Sequence, residues 1–286
     1  LLNDRMVKGL VNLGNTCYFN SALQCLLQTP QLTNLMIHKN YTGDCEFTKE
    51  YQRLSREMWT VTGDGGCRPL NPQKLLTVFQ KLFPTFKDGR QQDVQEVYLC
   101  VLDILSKSLV KFVKDVFYRP TVQETICKSG KSTRTGETNV VMLESNSSSS
   151  PDTVPDVGDL FKACHGGGYS TVESGYVDDD GVSHHVAATR AFFLANQPPL
   201  VLVMTFKTYH QKKKITLTDT LLDGQYTLYA TCIHTGSATA GGHYVACVKH
   251  KDIWYLKDDG APPKKLELFP FTDYHYLFFY KRNYKQ

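Results

Sequence analysis

Apolar positions recur with a helical period through the first third of the chain. Phe19, Leu23, Leu26 and Leu27 share one face, which predicts a helix over 17–28, stopped by Thr29-Pro30. A second helix is predicted over about Leu70 to Leu82. A third runs from Asp93 to about Lys111, with Val94, Val97, Val101, Leu105 and Leu109 along one side. From 116 to 196 the pattern breaks. Ser147-Ser148-Ser149-Ser150-Pro151, Gly166-Gly167-Gly168 and Asp178-Asp179-Asp180-Gly181 separate short apolar runs such as Val140-Val141-Met142-Leu143, which predicts short strands joined by long loops. Beyond 197 the chain reads as strands. Leu200 to Met204 is continuously apolar and Tyr226 to His234 half alternates. His243–Lys249, Ile253–Lys257 and Tyr274–Tyr280 follow at hairpin spacing. Helices first and an antiparallel sheet later predict an α+β architecture, with no internal repeat.

Composition narrows the function classes. The 286 residues are 41% hydrophobic and 21% charged, which excludes a wholly disordered chain. A net charge of +4 is too small to argue for nucleic acid, and Lys212-Lys213-Lys214 reads as a solvated loop. No apolar stretch approaches the roughly 20 residues of a membrane span. The start LLNDRMVKGL carries no signal-peptide core and no initiator Met, so a domain within a longer protein is expected. Nine cysteines at irregular spacing, Cys67 among them, with no C-x-x-C pair, predict free thiols in a reducing compartment, cytoplasmic or nuclear. The glycosylation-like triplets at Asn40 and Asn146 are then chance matches.

One thiol stands apart. Cys17 follows the turn Gly14-Asn15-Thr16, whose Asn and Thr suit an N-cap, and so opens the first helix. Free amides and the helix dipole would favour its thiolate there. A cysteine nucleophile needs a base, and His243 stands out among nine histidines. Gly241-Gly242 precede it, which permits close approach of a substrate backbone. A hairpin follows and ends at Asp258-Asp259. Pairing of 249 with 252 sets position 243 opposite 258; pairing of 249 with 253 sets it opposite 259. Either register brings a carboxylate to the imidazole.

At these residues the chain resembles the ubiquitin-specific proteases. Gly9-Leu10-Val11-Asn12-Leu13-Gly14-Asn15-Thr16-Cys17-Tyr18-Phe19-Asn20-Ser21 resembles their cysteine box. Gly241-Gly242-His243-Tyr244-Val245-Ala246, with Trp254-Tyr255 and Asp258-Asp259, resembles their histidine box. Gln91-Gln92-Asp93-Val94-Gln95-Glu96 and Tyr276-Leu277-Phe278-Phe279-Tyr280 resemble two further motifs, so the likeness runs from about 8 to 282 in the expected order. It implies a single papain-like catalytic domain over 1–286, with a helical thumb (about 1–115), β-rich fingers (about 116–205) and an antiparallel palm sheet (about 206–286). It implies a monomeric thiol peptidase that cleaves the isopeptide bond after the C-terminal glycine of ubiquitin. Its partners would be ubiquitin or ubiquitinated proteins, with neither nucleic acid nor membrane. The implied roles are Cys17 as nucleophile, His243 as base, Asp258 as the orienting acid with Asp259 as second candidate, and Asn12 as oxyanion donor beside the Cys17 amide. Asp93 and Glu96 would contact the basic tail of ubiquitin, although Asp-x-x-Glu before an apolar helix is also a capping box. Gly242 and Tyr244 would flank that tail.

Several positions depart from the family pattern. Many members bind zinc through two C-x-x-C pairs. Here Cys127 matches the first position, Gly130 stands where its partner would be, and the second pair is absent. No metal and no cofactor are therefore expected; Cys164-His165 and His184-His185 are the residues that could join Cys127 in a substitute site. The fingers would then rely on apolar strand packing such as Val140 to Leu143. Val97 replaces a usual Phe or Leu, Lys207-Thr208 the usual Arg-Phe, and Lys257 the aromatic that often precedes the catalytic acid. A catalytically weak ubiquitin-binding module and a peptidase for another ubiquitin-like modifier are the alternative readings.

Overall fold

The computed structural model describes residues 8–60, 68–144, 153–166, 168–172, 176–206, 213–238 and 241–284. Cys67, the Ser147–Pro151 run, Lys207-Thr208 and Lys212 lie outside them.

Helices fill the first part of the chain: α1 (Cys17–Leu27), α2 (Pro30–His38), α3 (Glu46–Trp59), α4 (Gln73–Leu82), α5 (Val94–Ser108) and α6 (Val110–Phe117). Every residue of α1 is buried. A helix enclosed on all sides must satisfy its polar side chains internally. Asn20 donates to the Leu10 and Val11 carbonyls, and Gln24 donates to the Lys8 carbonyl. Pro30 does more than stop α1: it is the first residue of α2, a position that needs no amide hydrogen. The third predicted helix is broken at Leu109, whose ψ of 44° is not helical. Ser108 bonds back to the Ile104 and Leu105 carbonyls and to Thr48 Oγ1, competing with the helical ladder at that turn.

Two sheets follow. A four-stranded antiparallel sheet runs in the order 130–138, 119–127, 187–193, 170–172. An eight-stranded sheet runs 264–265, 253–257, 241–250, 226–238, 275–282, 201–206, 141–143, with 220–221 against 226–238. All its pairs are antiparallel except 141–143 with 201–206. Of the Val140–Leu143 run, expected as a strand that packs within the fingers, 141–143 pairs with Val201–Phe206 in the large sheet. Helix α7 (Val157–His165) interrupts the region read as strands and loops. Asp156 caps it by accepting from the Gly158 and Asp159 amides, and Val157, Leu160 and Phe161 are its buried face. No helix among the described residues is long and apolar enough to cross a membrane.

The core is one apolar layer between the helices and the large sheet. Helix α1 lies on strand Gly241–His250 on one side and on α5 on the other. That contact joins residues more than two hundred positions apart, and it builds the site.

Candidate active site

Cys17 is the first residue of α1 and is 1% exposed. The turn before it uses Gly14 and Asn15 at positive φ, 96° and 50°. Neither predicted N-cap side chain caps the helix. Thr16 Oγ1 instead accepts from the Leu13 amide at 2.9 Å and lies 3.3 Å from Asn12 Oδ1. Asn15 Nδ2 donates to the Gly89 carbonyl at 3.0 Å. The expected thiolate stabilisation is present but outweighed. Burial raises the Cys17 thiol above its ordinary value, with the Asp259 charge adding to the rise, while the amides of Tyr244, Tyr18 and Cys17 itself pull it down. As a nucleophile, a thiol raised in this way would need a base.

The histidine expected to serve as base is on strand Gly241–His250. His243 Nε2 lies 2.6 Å from Asp258 Oδ1. With Nε2 held by the carboxylate, Nδ1 is the ring nitrogen left for proton transfer. Neither anticipated register is the one formed. Lys251 and Asp252, at φ 46° and 62°, make a two-residue turn with both central residues left-handed. His250 therefore pairs with Ile253, Lys249 with Trp254 and Ala246 with Lys257, the last pair of the ladder. Asp258 follows that ladder and reaches the imidazole from the loop.

Asp259, at φ 45°, keeps a carboxylate oxygen within 4.8 Å of the imidazole and of Asp258, but its hydrogen bonds go elsewhere. Its Oδ2 accepts from Asn12 Nδ2 at 2.8 Å, its Oδ1 from Asn20 Nδ2 at 2.8 Å, and its carbonyl from the Leu10 amide at 2.8 Å. Asn12 is held from both ends, since its Oδ1 accepts from the Gly14 amide at 2.9 Å. Gly9 sits so close beneath this loop that a side chain there would run into the Asp259 and Ala261 carbonyls.

The expected tail-contact residues divide. Gly242 is exposed at φ 115°, and a side chain there would strike the Thr235 carbonyl and the His234 ring. Glu96 is exposed on the first turn of α5. Asp93 is occupied on both oxygens: Oδ1 accepts from the Gln95 amide at 2.8 Å, and Oδ2 from Tyr276 Oη at 2.7 Å. Its N-capping is observed, and each oxygen already holds a framework group. Tyr244 is wholly buried, its ring 4.3 Å from that of His234. Its side chain cannot flank a tail in the cleft, because strand alternation turns it into the core when His243 faces out. Its amide is what reaches the cleft, at Cys17.

Three groups had no assigned role in the sequence. Asn20, inside the cysteine motif, tethers Asp259. Gln91, inside the middle motif, has Nε2 3.5 Å from Cys17 Sγ and also donates to the Gly242 carbonyl. Asp178 joins Cys127 and His184, each offering one ligand atom within 4.8 Å of the others. The proposed partners Cys164 and His165 are elsewhere. Cys164 accepts from the Glu144 amide, and His165 lies against Phe161 and Phe193, where burial lowers its imidazole to about 4. The donor set does not fit a closed zinc site of four ligands. Three side chains converge among the described residues, and they already bond one another: Ser129 Oγ lies 3.0 Å from Cys127 Sγ and donates to Asp178 Oδ2 at 2.7 Å, and His184 Nε2 meets the same oxygen at 2.8 Å.

With this geometry established, comparison with known proteins is informative. The profile of the family described as Ubiquitin carboxyl-terminal hydrolase matches residues 8–280. The chain belongs to this family of cysteine-type ubiquitin hydrolases. Ubiquitin carboxyl-terminal hydrolase 15 of Rattus norvegicus is 34% identical over 116 residues, 37% of this chain and 12% of that protein. Ubiquitin carboxyl-terminal hydrolase 4 of Mus musculus is 33% identical over 122 residues, 39% of this chain and 12% of that protein. The matched region thus spans about an eighth of these relatives. Among solved structures, the SAGA DUB module bound to monoubiquitin superposes with a TM-score of 0.77 at 17% identity, covering 100% of this chain and 71% of that one. The SAGA DUB module bound to ubiquitin aldehyde gives 0.74, with the same identity and coverage. The fold is therefore the papain-like fold of the ubiquitin-specific proteases.

Proposed function

We propose that this chain is a working thiol-dependent deubiquitinase that hydrolyses the isopeptide bond after the C-terminal glycine of ubiquitin. The observation that carries the reading is the hydrogen bond between Asp258 and His243, the latter on the strand that packs against the helix opened by Cys17. His243 Nδ1 takes the thiol proton, and Cys17 sulfur attacks the glycine carbonyl. The backbone amide of Cys17 and the second N–H of Asn12 Nδ2 receive the oxyanion, the first N–H being spent on Asp259. The imidazolium then protonates the departing lysine amine, and water, deprotonated by His243, releases the acyl group. Exposed Gly242 and Glu96 are placed to meet the tail.

Ubiquitin is favoured as the modifier because the solved structures with this fold carry it. Their presence in a multi-subunit module leaves a monomeric state for this chain as part of the proposal, together with a cytoplasmic or nuclear location. The test is covalent labelling by a panel of modifier probes bearing C-terminal electrophiles. Labelling by the ubiquitin probe is expected, with loss in Cys17→Ala. Labelling only by another modifier's probe would reassign the substrate, and none at all would favour a binding module.

A further inference from the structure

Gln91 links the helix opened by Cys17 to the strand that bears His243. The loop that carries Gln91 is fixed at several points. Asp88 Oδ1 accepts from the Arg90 amide at 2.9 Å and from Gln92 Nε2 at 3.0 Å. Gly89 accepts from Asn15, in the turn that precedes the nucleophile. Asp93 caps α5 and is itself held by Tyr276. Gln92 is thereby drawn back to Asp88, and its neighbour Gln91 is turned into the cleft. There Nε2 meets the Cys17 sulfur at 3.5 Å and the carbonyl of Gly242, the residue before His243. Gln91 Oε1 is buried without a hydrogen-bond partner among the described residues. A buried carbonyl left unpaired is unfavourable, so the amide is held in place by what its nitrogen does.

We propose that Gln91 is a positioning residue for the hydrolytic reaction: its amide nitrogen holds the Cys17 sulfur in register with the strand that bears His243. The inference rests on the thiol-peptidase reading above. Both contacts come from one nitrogen on an anchored loop, so a shift of either element is resisted by the other. An N–H aimed at sulfur also stabilises the charge that develops when the thiol gives up its proton.

The test uses Gln91→Met, which keeps the size and loses the donor, and Gln91→Glu, which sets a carboxylate beside the sulfur. The first readout needs no ubiquitin: the pH dependence of Cys17 alkylation by iodoacetamide, resolved by peptide mass spectrometry. The second is kcat and KM on a ubiquitin–fluorophore substrate. In Gln91→Met the alkylation midpoint is expected to move to higher pH, and kcat to fall about 10- to 100-fold with KM changed less than about 3-fold. Gln91→Glu should move the midpoint further in the same direction. An unchanged alkylation profile in both variants overturns the inference. So does faster alkylation with a lower KM, which would make Gln91 an obstruction. If the parent chain fails to turn over ubiquitin but the midpoint still moves, the proposed substrate fails and the role of Gln91 stands.

Discussion

At the scale of single residues, the two adjacent aspartates have separate jobs. Asp258 bonds the His243 imidazole; Asp259 holds Asn12 and Asn20. Cys17→Ala and His243→Ala are expected to abolish or nearly abolish turnover of a ubiquitin–fluorophore substrate, with unchanged melting temperature. Asn12→Ala should lower kcat roughly 100-fold with little change in KM, as for loss of one oxyanion donor. Because Asp259 acts on that donor, Asp259→Ala combined with Asn12→Ala should cost little more than the worse single change. Full additivity in a double-mutant cycle would show that the contact is not part of the oxyanion site. The residue types were legible in the sequence because Cys17, His243 and the aspartates sit in motifs with local spacing. The division of labour was not, since it depends on a bond between Asn12 and Asp259 across 247 positions. Nor was the burial that raises the Cys17 thiol against the pull of the helix amides.

At the scale of elements, the four-stranded sheet is tied by charge as well as by its ladder. Glu124, on its second strand, bonds Lys131, Arg190 and Tyr169. Lys131 first, then Arg190 and Tyr169, lower its carboxyl from 4.5 to about 2. A carboxylate with a depressed folded value contributes stability that is whole above about 4.5 and lost as pH falls through about 2. Glu124→Gln should therefore melt lower at neutral pH and show a flatter loss of stability over that acid window. Thermal melts from pH 5 to 2 measure it, and parallel curves for parent and variant would remove the role. The loop cluster of Cys127, Ser129, Asp178 and His184 leads to a second expectation at this scale. Turnover should persist in excess chelator, because hydrogen bonds among these side chains do not fill four ligand positions. One zinc per chain by elemental analysis, lost in His184→Ala, would show a metal site instead. Helix α7 was legible in principle from Asp156 and the spacing of Val157, Leu160 and Phe161. The surrounding Gly and Ser runs obscured it.

At the scale of the whole molecule, a buried lysine joins helices to sheet. Lys257 ends strand 253–257 and donates to Gln24 Oε1 of α1 at 2.7 Å. Burial lowers its ammonium from 10.5 to about 7. Between those values the unfolded chain binds a proton that the folded chain does not, so this residue makes stability rise with pH across that window. Lys257→Met should raise the melting temperature relative to the parent more at pH 6 than at pH 10. An equal difference at both would mean that the ammonium is not desolvated. Sequence alone determined the α+β class, the succession of a helical part and a sheet, and the family, and it singled out the candidate nucleophile and base, because periodicity, turn residues and motif spacing are local properties. Tertiary structure decided which carboxylate bonds the imidazole: a two-residue turn set a register outside the two anticipated, and Asp258 reaches the ring from the loop beyond the ladder. The same structure turned the Tyr244 ring into the core and bound Asp93 to Gln95 and Tyr276. It decided what Gln91 and Lys257 touch. Those outcomes depend on packing α1 against a sheet formed from the far end of the chain, and no pattern within either segment encodes the contact.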